Sequence, residues 1–161
     1  MTQCEWIVCE RSGRWAAALR LAIARQRTSP IGKQPLHEVR SLQELAARLA
    51  ERPRAVALVE VRRTNLAETL AWLAEAGPTY PKARFVVLVD REESDGEVGS
   101  GMTGVLLAAG AVGVADSPRR LQHVLAVGQR HFASQGRMPN GLGENQSLAE
   151  WAWALLPWQP A

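Results

Sequence analysis

Short apolar runs alternate along the chain with longer stretches in which apolar residues recur at helical spacing. Residues 55–61 and 85–89 are almost continuously apolar and rich in β-branched side chains, which is typical of strands buried on both faces of a parallel sheet. Weaker runs at 6–9, 36–40 and 110–115 bring the number of predicted strands to five. Each run is followed by a helical segment.

The helical segments carry start and stop signals. Gly77 and Pro78 end the third segment, and Pro118 suits the first turn of the last. Residues that can cap a helix precede four of the segments: Ser12, Ser41 (with Glu44 as a capping box), Asn65 and Ser117. We therefore predict helices over residues 13–26, 42–52, 66–76, 102–109 and 118–134.

Strict alternation of strands and helices predicts right-handed βαβ units, and hence a parallel sheet covered by helices on both faces. The fold class is α/β, a three-layer α/β/α sandwich with a five-stranded sheet. At this length the common strand order is the flavodoxin-like 2-1-3-4-5. The chain of 161 residues, 47% of them hydrophobic, is large enough to bury the core of one such domain.

Composition narrows the function classes. A formal net charge of +3 is too small for a nucleic-acid footprint, so nucleic acid is an unlikely partner. Cys4 and Cys9 lack the spacing of a metal site and suit a reducing compartment. No signal peptide and no membrane-spanning run is recognisable. We expect a cytoplasmic protein without a membrane partner, a metal or a cofactor.

Over residues 4–134 the chain resembles a bacterial response-regulator receiver domain. The resemblance rests on the order of the elements and on the segment from Phe85 to the last helix. There a buried strand is followed by a short helix, a Gly110-Ala111 pair, a strand of small residues and Pro118. The resemblance implies a flavodoxin-like, CheY-like fold and a role in bacterial signal transduction.

The resemblance also implies a phosphorylation pocket, and this sequence departs from its pattern. A receiver holds Mg²⁺ with two acids after strand one, accepts a phosphoryl group on an aspartate ending strand three, and contacts it with a hydroxyl and a lysine after strands four and five. After strand one at most one acid, Glu10, remains, and the cation Arg11 follows it. The other three matching positions hold Glu60, Val89 and Ser117. The chain is thus expected to be a degenerate receiver, a pseudo-receiver that binds no Mg²⁺ and has no catalytic residue.

Glu60 allows two interpretations. It could act as a permanent negative charge that imitates a phosphorylated aspartate, paired with Arg11 or Arg62, since a close opposite charge keeps a carboxylate ionised. It could equally be a carboxylate at the end of a strand with no role beyond stability. A register shifted by one residue would place Val59 at this position instead.

The predicted domain, residues 1–134, is followed by a glycine-rich linker, 135–146, and a tail, 147–161. Ser147 and Glu150 form a capping box that predicts a short helix. So short a helix is marginal alone and must dock, either on its own domain or on another protein. The apolar residues expected to carry that interaction are Leu148, Trp151, Trp153, Leu155 and Trp158.

Three functions remain open from the sequence. The first is a non-enzymatic pseudo-receiver that serves as a protein–protein interaction module in bacterial signalling or regulation. The second is a flavodoxin-like ligand-binding or enzymatic domain, with its site at the carboxyl ends of the strands. The third is a scaffold that forms oligomers, such as a homodimer, through the tryptophan tail.

Overall fold

The computed structural model describes residues 4–26, 34–89 and 98–136 of the chain. In this part of the chain, five parallel strands form one sheet in the order β2-β1-β3-β4-β5, so the predicted fold class and strand order are confirmed. Their bounds are Trp6–Cys9 for β1, Leu36–Val39 for β2, Val56–Val61 for β3, Arg84–Val89 for β4 and Gly113–Ala115 for β5.

Helices follow the strands as predicted, with differences at their ends. They are Arg14–Ala24 for α1, Leu42–Glu51 for α2, Leu66–Thr79 for α3, Val98–Ala108 for α4 and Leu121–Gly136 for α5, with a 3-10 turn at Pro118–Arg120. The predicted end of α3 at residue 76 is wrong by three residues, because a proline in the last turn removes only one hydrogen bond. The fifth strand begins at Gly113, not Gly110, since Gly110 turns the chain with a φ of 112°.

The predicted caps behave differently from one helix to the next. Ser41 caps α2, because its Oγ accepts a hydrogen bond from the backbone amide of Glu44 at 3.1 Å. Asn65 precedes α3, and Ser117 precedes the 3-10 turn, yet neither side chain makes a capping hydrogen bond. Ser12 does not occupy the cap position of α1, which is taken by Gly13 with a left-handed φ of 79°.

The sheet separates two apolar layers. On one face α1 and α5 pack over side chains of β1, β3 and β4, and on the other α2, α3 and α4 do the same. Alternating residues of β3 therefore enter opposite layers, and all six residues of that strand are buried. This two-sided burial accounts for the continuous apolar runs of β3 and β4 in the sequence.

Helix α5 lies unusually close to the sheet at one point. A Cβ atom on Gly128 would overlap the ring of Trp6, which is fully buried in β1 and meets Phe132 edge-on at 5.2 Å between ring centroids. Glycine at position 128 therefore lets the helix pass directly over a tryptophan.

Two further expectations concern the segment after the last helix and the absence of a membrane-spanning helix. Helix α5 ends at Gly136, so the first two residues of the predicted linker, 135 and 136, are helical. The rest of the linker and the tryptophan tail lie outside the described residues. Among the helices that the structure describes, none is both long and apolar enough to cross a membrane.

Candidate functional site

The carboxyl ends of parallel strands meet at one edge of the sheet, so the five predicted pocket residues lie along that edge. Glu10 follows β1, Glu60 is the penultimate residue of β3, Val89 ends β4 and Ser117 follows β5 by two residues. Glu10, Arg11 and Glu60 line one cavity of about 150 Å³, as Val59 does. Val89 and Ser117 are not among the described residues that line it.

Glu60 is buried, with 6% of the residue exposed, and both of its carboxylate oxygens accept hydrogen bonds. The Arg62 guanidinium donates from Nη2 to Oε1 at 2.8 Å, which makes an ion pair two residues apart on the chain. The backbone amide of Arg11 donates to Oε2 at 3.2 Å. Arg11 therefore contacts Glu60 through its main chain, and its side chain is exposed.

Glu10 is also buried, and its carboxylate caps helix α1. Oε2 accepts hydrogen bonds from the Trp15 amide at 3.0 Å and the Ser12 hydroxyl at 3.2 Å. Oε1 accepts one from the Ala16 amide at 2.5 Å. These amides belong to the first turn of α1, where backbone donors have no partner within the helix and favour a negative charge. Glu10 thus provides most of the capping that was predicted for Ser12, whose hydroxyl accepts one long hydrogen bond from the Arg14 amide at 3.4 Å.

Two residues brace this site that the sequence analysis did not assign to it. Asn65 accepts from the Arg62 amide at 2.7 Å and donates to the Glu60 carbonyl at 3.2 Å, which fixes the loop after β3. Arg40 donates from Nη1 to the carbonyls of Glu10 and Arg11, at 3.1 and 3.2 Å. In the sequence Asn65 could be recognised only as a helix cap. Arg40 directly follows β2, and no sequence pattern indicates that an arginine there will stabilise a loop.

The other side chains at this edge offer little reactivity. Burial, reinforced by the carboxylates of Glu44, Glu60 and Glu10, raises the pKa of the Cys9 thiol to about 12, so it stays protonated and unreactive at neutral pH. Val89 is buried and carries no hydroxyl. Within the described ranges, no three His, Cys, Asp or Glu side chains come together in a group that could hold a metal ion.

Comparisons with known proteins concern the fold. No protein-family model matches the chain, and no curated protein is significantly similar to it. Among solved structures it is similar to a CheY-like protein, tadZ, from Pseudomonas aeruginosa PAO1, with a TM-score of 0.60 and 17% identity over 88% of this chain and 99% of that one. A response regulator from Thermotoga maritima gives a TM-score of 0.57 and 17% identity over 83% of this chain and 99% of the other.

These similarities confirm the resemblance on which the sequence analysis relied. The described part of the chain has a receiver-like, CheY-like fold. At 17% identity the likeness concerns the fold alone.

Proposed function

We propose that this chain is a pseudo-receiver, a cytoplasmic and non-enzymatic module that is not phosphorylated and acts by binding another protein in bacterial signalling or regulation. The observation that carries the proposal is that the Glu60 carboxylate already accepts a hydrogen bond on each oxygen. This carboxylate stands at the end of β3, where a receiver has its phosphate-accepting aspartate, and both of its oxygens already accept hydrogen bonds from Arg62 and Arg11.

Phosphoryl transfer to a carboxylate relies on positioning and on a cation that neutralises the incoming charge. Mg²⁺ binds oxygen ligands and requires near-octahedral geometry. Here the carboxylate of Glu10 accepts three hydrogen bonds at the start of α1, and the Arg62 guanidinium is the cation beside Glu60. An arginine in this place supplies a fixed positive charge and no coordination site.

The same arrangement gives Glu60 a constant role. A buried carboxylate with a permanent cationic partner does not cycle between two charge states as a phosphorylated aspartate does. We therefore propose that the carboxyl edge of the sheet is held in one state, and that function depends on what the surface of the domain binds.

Exposed apolar side chains supply a surface for such binding. Val105 and Leu107 on α4 and Val112 just before β5 are exposed by 52%, 45% and 45%. Val112 directly precedes β5, the last strand of the sheet in the described part of the chain. Exposed apolar side chains on two consecutive elements favour contact with a protein partner.

The test is incubation of the full chain with acetyl phosphate and Mg²⁺, followed by intact mass spectrometry. We expect no phosphoryl adduct, whereas a receiver that retains its aspartate is modified in the same reaction. A stable adduct that disappears in the Glu60→Gln variant would overturn the proposal. An adduct that persists in Glu60→Gln would place the modified residue elsewhere and equally contradict a chain that is not phosphorylated.

A further inference from the structure

A second apolar surface lies on the opposite side of the sheet from α4. Between α1 and the start of α5 runs an open groove of about 490 Å³, a size that accommodates several apolar side chains. Leu21 is the most exposed large hydrophobic residue in the part of the chain that the structure describes, at 56%. The lining of the groove combines six apolar residues with two cations and two glutamines; among them are Leu21, Ala22, Leu121, Leu125, Arg25 and Arg119.

The core does not explain why Leu21 is apolar. Leu19 and Ile23 of the same helix point into the layer between α1, α5 and the sheet, and both are buried. Leu21 lies between them in sequence and faces away from that layer, as the exposed Arg20 and Ala24 do. An exposed leucine at the rim of a concave apolar surface is what a docking site for another apolar segment requires.

We propose that the tryptophan tail of this chain, residues 147–158, docks into this groove of its own domain, with tryptophans as anchors. The proposal stands on the groove and the tail, and it does not depend on the absence of phosphorylation. Three observations select this occupant: the reach of the chain, the charges and the side of the sheet.

The reach is sufficient. The groove reaches as far along α5 as Leu125, and the helix ends at Gly136. Those eleven residues correspond to roughly 17 Å along a helix axis. The ten residues from 137 to 146 can span up to about 33 Å. The tail can therefore turn back after α5 and lie along the α1–α5 face.

The charges are complementary. Arg25 and Arg119 lie on either side of the apolar floor of the groove. The segment after Gly136 contains Glu144 and Glu150 as its acidic residues and Arg137 as its only basic one. A docked tail brings the carboxylate of Glu150, with that of Glu144 in the preceding linker, towards two guanidinium groups, which favours this groove over a surface without cations.

The position of α5 selects the side of the sheet. Helix α5 packs in the same layer as α1, so the chain leaves the domain on the face that holds the groove. The other exposed apolar residues, Val105 and Leu107, belong to α4, which packs in the opposite layer. To reach them the tail would have to cross an edge of the sheet.

The test measures how fast a cysteine in the groove is alkylated in the full chain. Leu21→Cys is compared in two backgrounds, the native tail and a tail with Trp151→Ser, Trp153→Ser and Trp158→Ser. Leu107→Cys, similarly exposed on the opposite face, is the matched control. Cys9 contributes little background, because burial raises its pKa to about 12, and the background from the partly exposed Cys4 is the same in every variant.

We expect the native tail to slow alkylation of Leu21→Cys about tenfold relative to the substituted tail, which corresponds to a tail docked about 90% of the time. Leu107→Cys should react at the same rate in both backgrounds. Cys9 is buried in the folded chain, so an adduct on Cys9 indicates unfolding. The mass of that extra adduct identifies a variant that fails to fold.

Three results would overturn the proposal. Equal rates for Leu21→Cys in both backgrounds would mean that the groove is open. Protection of Leu107→Cys by the native tail would place the tail on the opposite face. Protection of Leu21→Cys that is lost on about a hundredfold dilution would assign the groove to the tail of a second copy, by mass action.

Discussion

Buried glutamates stand at both ends of strand β1, and they are stabilised in different ways. Glu5, just before the strand, is 1% exposed. The Arg48 guanidinium donates two hydrogen bonds to its carboxylate, Nε to Oε1 at 2.7 Å and Nη2 to Oε2 at 2.9 Å. Glu10, just after the strand, is 2% exposed and is held by backbone amides of α1 and one hydroxyl.

The direction of the chain explains this difference. In a parallel α/β fold every helix begins near the carboxyl edge of the sheet and ends near the amino edge. Helix starts present unpaired N–H groups that stabilise an anion, and helix ends present carbonyls that do not. At the carboxyl edge the fold itself supplies the partners of Glu10. At the amino edge a side chain must supply them, and Arg48 does so from the last turn of α2.

The largest expected effect comes from removing the arginine that partners Glu5 at the amino edge. Arg48→Met leaves the Glu5 carboxylate buried without its main partner, and we expect a loss of about 3 kcal/mol in the free energy of unfolding. This loss is at the low end for a broken buried ion pair, because His37 and Arg52 remain at 3.6 and 3.8 Å from Glu5. Urea denaturation measures the change.

The matched variant at the carboxyl edge is Arg62→Met. Glu60 keeps the hydrogen bond from the Arg11 amide, and the Arg62 side chain is 38% exposed, so we expect a loss of about 1 kcal/mol or less. Equal losses for the two variants would contradict the difference between the edges.

An effect between those of Arg48→Met and Arg62→Met is expected when the anion at the start of α1 is removed. Glu10→Ala leaves the Trp15 and Ala16 amides without acceptors, and we expect the free energy of unfolding to fall by about 2 kcal/mol. Ser41→Ala removes a single exposed cap from α2 and should cost about 1 kcal/mol. A smaller loss for Glu10→Ala than for Ser41→Ala would show that backbone amides contribute little at this edge.

The third effect is a dependence of stability on pH at the amino edge. Burial, together with the nearby Arg84 guanidinium, lowers the pKa of His131 in α5, although the carbonyls of Arg54 and Lys82 act in the opposite direction. The unfolded chain has an ordinary histidine pKa of about 6.5, so it takes up a proton that the folded chain resists. Stability should therefore fall as the pH drops below about 6.5.

Urea denaturation between about pH 7.5 and pH 5.5 measures this slope. The His131→Gln variant keeps a polar side chain but cannot take up the proton, so its slope should be shallower than that of the native chain. Identical slopes would assign the pH dependence to other groups.

The sequence predicted the fold because its signals are local and repeated. The buried runs of β3 and β4, the capping box of Ser41 and Glu44 and the alternation of elements each depend on a few neighbouring residues, and all agree with the structure. Element ends were less accurate. Whether Pro78 ends α3 or lies in its last turn depends on one hydrogen bond, which is too weak a feature to appear as a pattern.

The site was predicted only in part, for a physical reason. Strand order alone brings Glu10, Arg11 and Glu60 together at one edge. The orientation of each side chain depends on contacts between distant parts of the chain, such as the Arg11 amide on Glu60, 49 residues apart. Arg11, predicted as a possible partner of Glu60 through its charge, thus contacts it through its backbone. Glu10, predicted as one residue of a degenerate pocket, acts as a helix cap.

The two glutamates of β1 also differ in how far along the chain their partners lie. Glu10 bonds to amides five and six residues away, whereas Glu5 and Arg48 are 43 residues apart. Closing the longer loop costs about 2 kcal/mol more in chain entropy, at roughly 0.6 kcal/mol for each doubling of length. The turn between β1 and α1 can therefore form early in folding. The Arg48–Glu5 ion pair at the other end of the strand forms only after α2 has packed against the sheet.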